Sequence, residues 1–105
     1  IVIINTWAAW SYESLDIQRA LSDAVKAGKI AAMGICIDAN PKEVRQSLER
    51  DGIEFPNVCD GKLLNTPLLK TFGLNTVPDN IVIRNGKVTE RNITANTIRQ
   101  RYGTD

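Results

Sequence analysis

The chain has 105 residues, 43% of them hydrophobic, with 13 basic and 12 acidic side chains and no histidine. That size supports one small domain with a single core, and the near-cancelling charge leaves no basic patch for nucleic acid and no charged tail for a surface partner. Without histidine there is no Ser-His or Cys-His catalytic pair, and two cysteines cannot complete a four-ligand zinc site, so no metal and no cofactor is expected.

Four consecutive bulky residues, Ile1 to Ile4, predict a strand covered on both faces. A helix should begin near Ser11 to Ser14 and run to about Lys26. Ile17, Ala20, Leu21, Ala24 and Val25 form its apolar stripe, and Ala27-Gly28 ends it. Either serine can serve as its N-cap by accepting a free amide of the first turn. Ile30 to Ile37 predicts a second buried strand, with Asp38 a solvated acid at its end. Asn40-Pro41-Lys42-Glu43 combines an Asn cap, Pro at the first helical position and Glu three residues after the cap. The helix it opens points Val44 and Leu48 inward and stops at Asp51-Gly52.

Phe55 to Cys59 reads as a short edge strand, because Pro56 cannot donate to a central ladder. Asp60-Gly61 turns, and Thr66-Pro67 opens a short helix carrying Leu68, Leu69 and Phe72, closed by Gly73. Asn80 to Arg84 and Lys87 to Arg91 flank Asn85-Gly86, a strong signal for a two-residue hairpin. A last helix over Ala95 to Tyr102 covers one face through Ile98 and Tyr102. The alternation predicts an α/β fold: a mixed central sheet, two parallel strands plus a C-terminal antiparallel hairpin, with helices on both faces. Residues 1–105 form one domain with no linker or internal repeat. The apolar runs fall short of the ~20 residues of a membrane helix, and no membrane contact is expected within this segment. Cys36 and Cys59 read as small hydrophobes. If their strands are neighbours, a bridge requires Cα atoms within about 4.4–6.8 Å and facing Cβ vectors, and it would be structural.

Trp7-Ala8-Ala9-Trp10, followed by two small residues three apart, resembles the W-A-x-W-C-x-x-C signature of thioredoxin-like proteins, with Ser11 and Ser14 in place of both cysteines. The similarity continues through Gly34-Ile35-Cys36-Ile37-Asp38, Phe55-Pro56, Phe72-Gly73, Val77-Pro78 and Asn85-Gly86-Lys87, and in that order resembles the TlpA/ResA branch of bacterial thiol-disulfide oxidoreductases. The resemblance implies a thioredoxin-like fold and a periplasmic or cell-envelope location. It also implies a leading segment, missing here, before Ile1, and a cis bond at Val77-Pro78 facing the serine pair. Asn5 stands where this branch often has Asn, and some relatives place an acidic group beneath the site, near Asp38.

Disulfide exchange needs an attacking thiolate and a second, resolving thiol, and hydroxyls supply neither. The family reaction should therefore be absent at Ser11 and Ser14. Two readings stand. One is a natural, redox-inactive relative that binds a polypeptide or protein partner at Trp10, Tyr12, Val77 and Pro78. The other is an active oxidoreductase whose cysteines were replaced by serine. Further departures from the family pattern, Tyr12 and Glu13 between the serines and Leu15 and Arg19 after them, favour the first. Apart from both stands a non-enzymatic class, a purely structural module of a larger exported protein. A cis X-Pro bond leaves the preceding backbone open to an extended strand without any need for sulfur. Trp7 is expected in the core, and Trp10 on the binding surface.

Overall fold

Periodicity and caps place most elements where the residues direct them. The computed structural model describes residues 1–38, 40–59, 67–74 and 76–103, with the side chain of Leu68 excepted. The turn expected at Asp60-Gly61, the helix start at Thr66 and the inward side chain of Leu68 lie outside the described residues. In chain order the elements are β1 (Val2–Trp7), α1 (Tyr12–Lys26), β2 (Ala31–Cys36), α2 (Pro41–Arg50), β3 (Asn57–Val58), α3 (Pro67–Phe72), β4 (Asp79–Arg84), β5 (Lys87–Arg91) and α4 (Ala95–Tyr102). They build a five-stranded sheet in the order β3-β2-β1-β4-β5. β2 runs parallel to β1 and β3 parallel to β2, while β4 is antiparallel to β1 and to β5.

β1 extends three residues beyond the apolar run that announces it. Asn5 and Thr6 break the hydrophobic pattern, yet both are fully buried, each with a hydrogen-bond partner inside. Asn5 Nδ2 donates to Gln18 Oε1 of α1 at 3.2 Å. The Thr6 hydroxyl accepts the Asp79 N–H at 2.9 Å and donates to the Thr76 carbonyl at 2.7 Å, fastening the start of β4 to the end of β1. The hairpin turns as its sequence requires: Asn85 and Gly86 have φ of 53° and 78°, the left-handed pair of a two-residue turn.

The parallel register places Ile3 beside Ala32, Asn5 beside Gly34 and Trp7 beside Cys36, all on one face. Ile3 packs with Ile17, Leu21 and Ala24 of α1 and with Ile98 and Tyr102 of α4. Trp7 and Cys36 pack with Leu15 of α1 and Val44 of α2. The opposite face carries Ile4, Ile35 and Ile81 against Leu69 of α3. Helices therefore cover both faces of the sheet. Two ion pairs tie α1 to its neighbours: Asp16 meets Arg99 of α4 at 2.7 Å, and Arg19 meets Asp51, just after α2, at 3.0 Å. Arg50 also reaches Asp51, at 3.1 Å.

Candidate functional site

At the carboxyl end of β1 the chain leaves the sheet through Ala8, Ala9 and Trp10 and enters α1 at Ser11. Ser11 is the N-cap, with extended backbone (φ −105°, ψ 98°) and its Oγ 3.4 Å from the Ser14 N–H. Ser14 is fully buried. Its hydroxyl accepts the Ala8 N–H at 3.2 Å and donates to the Ser11 carbonyl at 2.8 Å. Both serine oxygens thus accept amides of the local backbone, which closes the turn. Trp7 lies in the core and its indole N–H donates to Asn57 Oδ1 at 2.9 Å, whereas Trp10 and Tyr12 are 66% and 74% exposed.

The Val77–Pro78 peptide bond is cis, and both residues are half-buried. Thr6 pairs with Asp79 in the ladder, so the proline directly precedes the strand position beside the end of β1, from which the serine turn departs. A cleft of about 530 Å³ is lined by Glu13 and Asp16 of α1, by Thr76 and Pro78, and by residues 92–96 at the start of α4. The fold therefore brings Ser11, Ser14, Trp10, Tyr12, Val77 and Pro78 to the same end of the sheet. Asp16 is held below the usual carboxylate range by the hydrogen bond from Arg99, and the two opposite charges offset one another on that wall.

Several residues here escape sequence reasoning. Asp38 is 4% exposed, not the solvated strand-end acid its position predicts. Its carboxylate accepts the Ala9 and Asn40 amides, each at 2.9 Å, which binds the turn before α1 to the start of α2. Arg19 is one of the departures from the family pattern, and its guanidinium pairs with Asp51 and lies 6.0 Å from the centre of the Tyr12 ring. Gln18 and Asn57, which no motif marks, complete the polar chain from Asn5 to Trp7: Gln18 Nε2 donates to Asn57 Oδ1 at 3.2 Å.

The cysteines also differ from expectation. β2 and β3 are neighbours, and Cys36 and Cys59 lie 3.0 Å apart, both reduced. Cys36 is buried as predicted, but Cys59 is exposed rather than packed as a small hydrophobe. The Asp38 N–H donates to Cys36 Sγ at 3.4 Å, and Cys59 Sγ–H donates to the Asp38 carbonyl at 3.5 Å. Burial, reinforced by the hydrogen bond with Cys59, pushes the Cys36 thiol pKa far up. Among the described residues, no group of three or more Cys, Asp or Glu side chains is placed to hold a metal ion, and no helix is long and apolar enough to cross a membrane.

No protein-family model and no curated protein matches this sequence. Solved structures do match. A thioredoxin-like protein from Parabacteroides distasonis superposes with a TM-score of 0.77 at 21% identity, over 98% of this chain and 79% of that one. A thiol-disulfide oxidoreductase from Bacteroides fragilis gives 0.73 at 24% identity, over 95% and 78%. A secreted Mycobacterium tuberculosis disulfide oxidoreductase homologous to DsbE gives 0.72 at 17% identity, over 84% and 65%. The chain has the thioredoxin-like fold, and its structural neighbours include thiol-disulfide oxidoreductases.

Proposed function

We propose that this chain is a thioredoxin-like domain that has lost thiol-disulfide exchange at the start of α1 and binds an extended polypeptide across Trp10, Tyr12, Val77 and Pro78. The observation that carries this reading is the pair of exposed aromatics, Trp10 and Tyr12, at the sheet end that also presents the cis proline. Large apolar rings left in water beside a cleft are characteristic of a contact surface, and the backbone around Val77 offers an extended chain strand-like pairing. Loss of exchange follows from the hydroxyls, which give no thiolate at neutral pH. An envelope or exported location accords with the secreted neighbour and is part of the same proposal.

Two experiments test this. Titrating reduced and carboxymethylated insulin B chain should perturb Trp10 fluorescence, and Trp10→Ala should abolish binding without unfolding the domain; absence of binding by the parent chain overturns the proposal. The competing reading, an oxidoreductase with replaced cysteines, is tested by insulin reduction with Ser11→Cys, Ser14→Cys in a Cys36→Ala, Cys59→Ser background, where only the helix site carries thiols. Strong turnover supports an enzyme whose sulfur was recently lost or replaced, and none supports a diverged binding module.

A further inference from the structure

We propose that Cys36 and Cys59 form a second dithiol site, separate from the serine turn, that exchanges with an accessible disulfide, Cys59 attacking and Cys36 resolving. The inference stands independently of polypeptide binding at Trp10 and Pro78. Its basis is the sheet edge. The parallel ladder pairs Gly34 with Asn57 and Ile35 with Val58, and one further step sets Cys36 beside Cys59, with both side chains on one face. The residues approach to 3.0 Å. A disulfide needs ~2.05 Å between sulfurs, so bond formation requires only a small inward movement at the two-residue edge strand.

The two thiols are unequal in the way exchange demands. Cys59 is exposed, so the disulfide of another molecule can reach it; Cys36 is 2% exposed and can meet only Cys59. One residue orients both: the Asp38 amide points at Cys36 Sγ, and the Asp38 carbonyl holds the Cys59 thiol. The Cys36 thiol, pushed up by burial, stays protonated until it resolves. A pair kept only for packing would have no reason to leave one sulfur in water.

The chemistry balances against a disulfide oxidant, RSSR. Cys59 gives its proton to solvent, and its thiolate attacks one sulfur of RSSR. The S–S bond breaks, Cys59–S–S–R forms, and the departing thiolate takes up a proton. Cys36 sulfur then attacks the Cys59 sulfur, the second thiolate leaves, and the Cys36 proton passes to it. Two thiols are oxidised to one disulfide, and RSSR is reduced to two RSH.

The test uses oxidised glutathione as RSSR, with acid quenching and mass spectrometry of the intact chain and its peptides. The expected product is a chain lighter by two hydrogens, bridged between Cys36 and Cys59 and reopened by reduced glutathione. Cys36→Ala should accumulate one glutathione adduct on Cys59, whereas Cys59→Ser should carry none on Cys36. Circular dichroism confirms that each variant folds, and timed peptide mapping of the unaltered chain, in which Cys59 must be modified first, needs no variant at all. A chain that carries stable adducts and no internal bridge, one in which Cys36 reacts first, or a bridge that reduced glutathione cannot open overturns the proposal.

Discussion

Gly34→Ala should be among the most damaging single-methyl additions in this domain, although Gly34 lies in a strand with no unusual backbone angle. A Cβ at this position would sit 1.8 Å from Asn57 Oδ1 and 2.9 Å from Trp7 Nε1, so the Asn57 carboxamide must leave. That oxygen accepts from Trp7 at 2.9 Å and Gln18 at 3.2 Å, and the same side chain is anchored by Nδ2 donating to the Phe55 carbonyl at 2.9 Å. Eviction strands two buried donors, each costing ~1–3 kcal/mol. Alanine returns ~0.5–1 kcal/mol through its lower unfolded-state entropy in a strand, leaving a net loss of about 1–5 kcal/mol. At ~4 °C per kcal/mol for a domain of this size, Tm should fall by roughly 4–20 °C. Urea titration should show a lower midpoint with an unchanged slope. Asn57→Ala opens the space, so adding Gly34→Ala to it should cost little, and the double-mutant cycle should show strong coupling. A Gly34→Ala Tm within ~2 °C of the parent, or additive effects with Asn57→Ala, refutes the steric argument.

Further outcomes follow from the same geometry. Ser14→Ala leaves the buried Ala8 amide without its 3.2 Å acceptor and should cost ~1–3 kcal/mol, while Ser11→Ala removes the N-cap oxygen and should cost ~1 kcal/mol; thermal melts check both. Trp10→Ala and Tyr12→Ala touch exposed rings and should change stability by less than ~0.5 kcal/mol while weakening binding of carboxymethylated insulin B chain. Asp51 is subject to burial, which alone would raise its pKa, but Arg50 and Arg19 outweigh it and hold the carboxyl below its ordinary value. Because the folded pKa is the lower one, the stabilisation is present in full above the unfolded pKa of ~3.9 and is lost as pH falls through the folded value. Asp51→Asn should therefore destabilise more at pH 7 than near pH 2, and equal urea-midpoint losses at the two pH values contradict the pairing.

The difference between what the residues announce and what only the structure reveals follows the range of the interactions. Periodicity and capping are local, so α1, α2, the Asn85-Gly86 hairpin and α4 are legible almost to their ends: Asn40 Oδ1 does accept the Lys42 and Glu43 amides, at 3.1 and 3.2 Å. The shared location of Ser11, Ser14 and Pro78 was legible only through the family resemblance, because no local pattern links a turn near the start of the chain to a proline near its end. Polar residues that satisfy one another across elements give the opposite signal to their true position. Asn5 and Thr6 lie beyond the apolar run that announces β1 and prove to belong to its buried interior; Asp38 reads as solvated and proves to be a buried tie between the turn before α1 and the start of α2.

The cysteines show the same limit from the other side. Burial of Cys36 could be read from its strand, but exposure of Cys59 and its approach to 3.0 Å depend on parallel pairing between β2 and β3, a register that neither segment encodes alone. That register also decides the fate of Gly34: it sets Asn57 directly beside the glycine, so the strand pairing that brings the thiols together is the one that leaves no room for a Cβ. Gly34→Ala should accordingly disturb both features at once. When β3 is displaced to relieve the clash, bridging of Cys36 to Cys59 by oxidised glutathione should slow in step with the loss of stability. A variant destabilised to a similar degree from the far side of the sheet, such as Ile81→Ala, should bridge at the parent rate in the folded state. If both variants bridge equally fast at temperatures well below their melting points, the edge register does not control thiol approach.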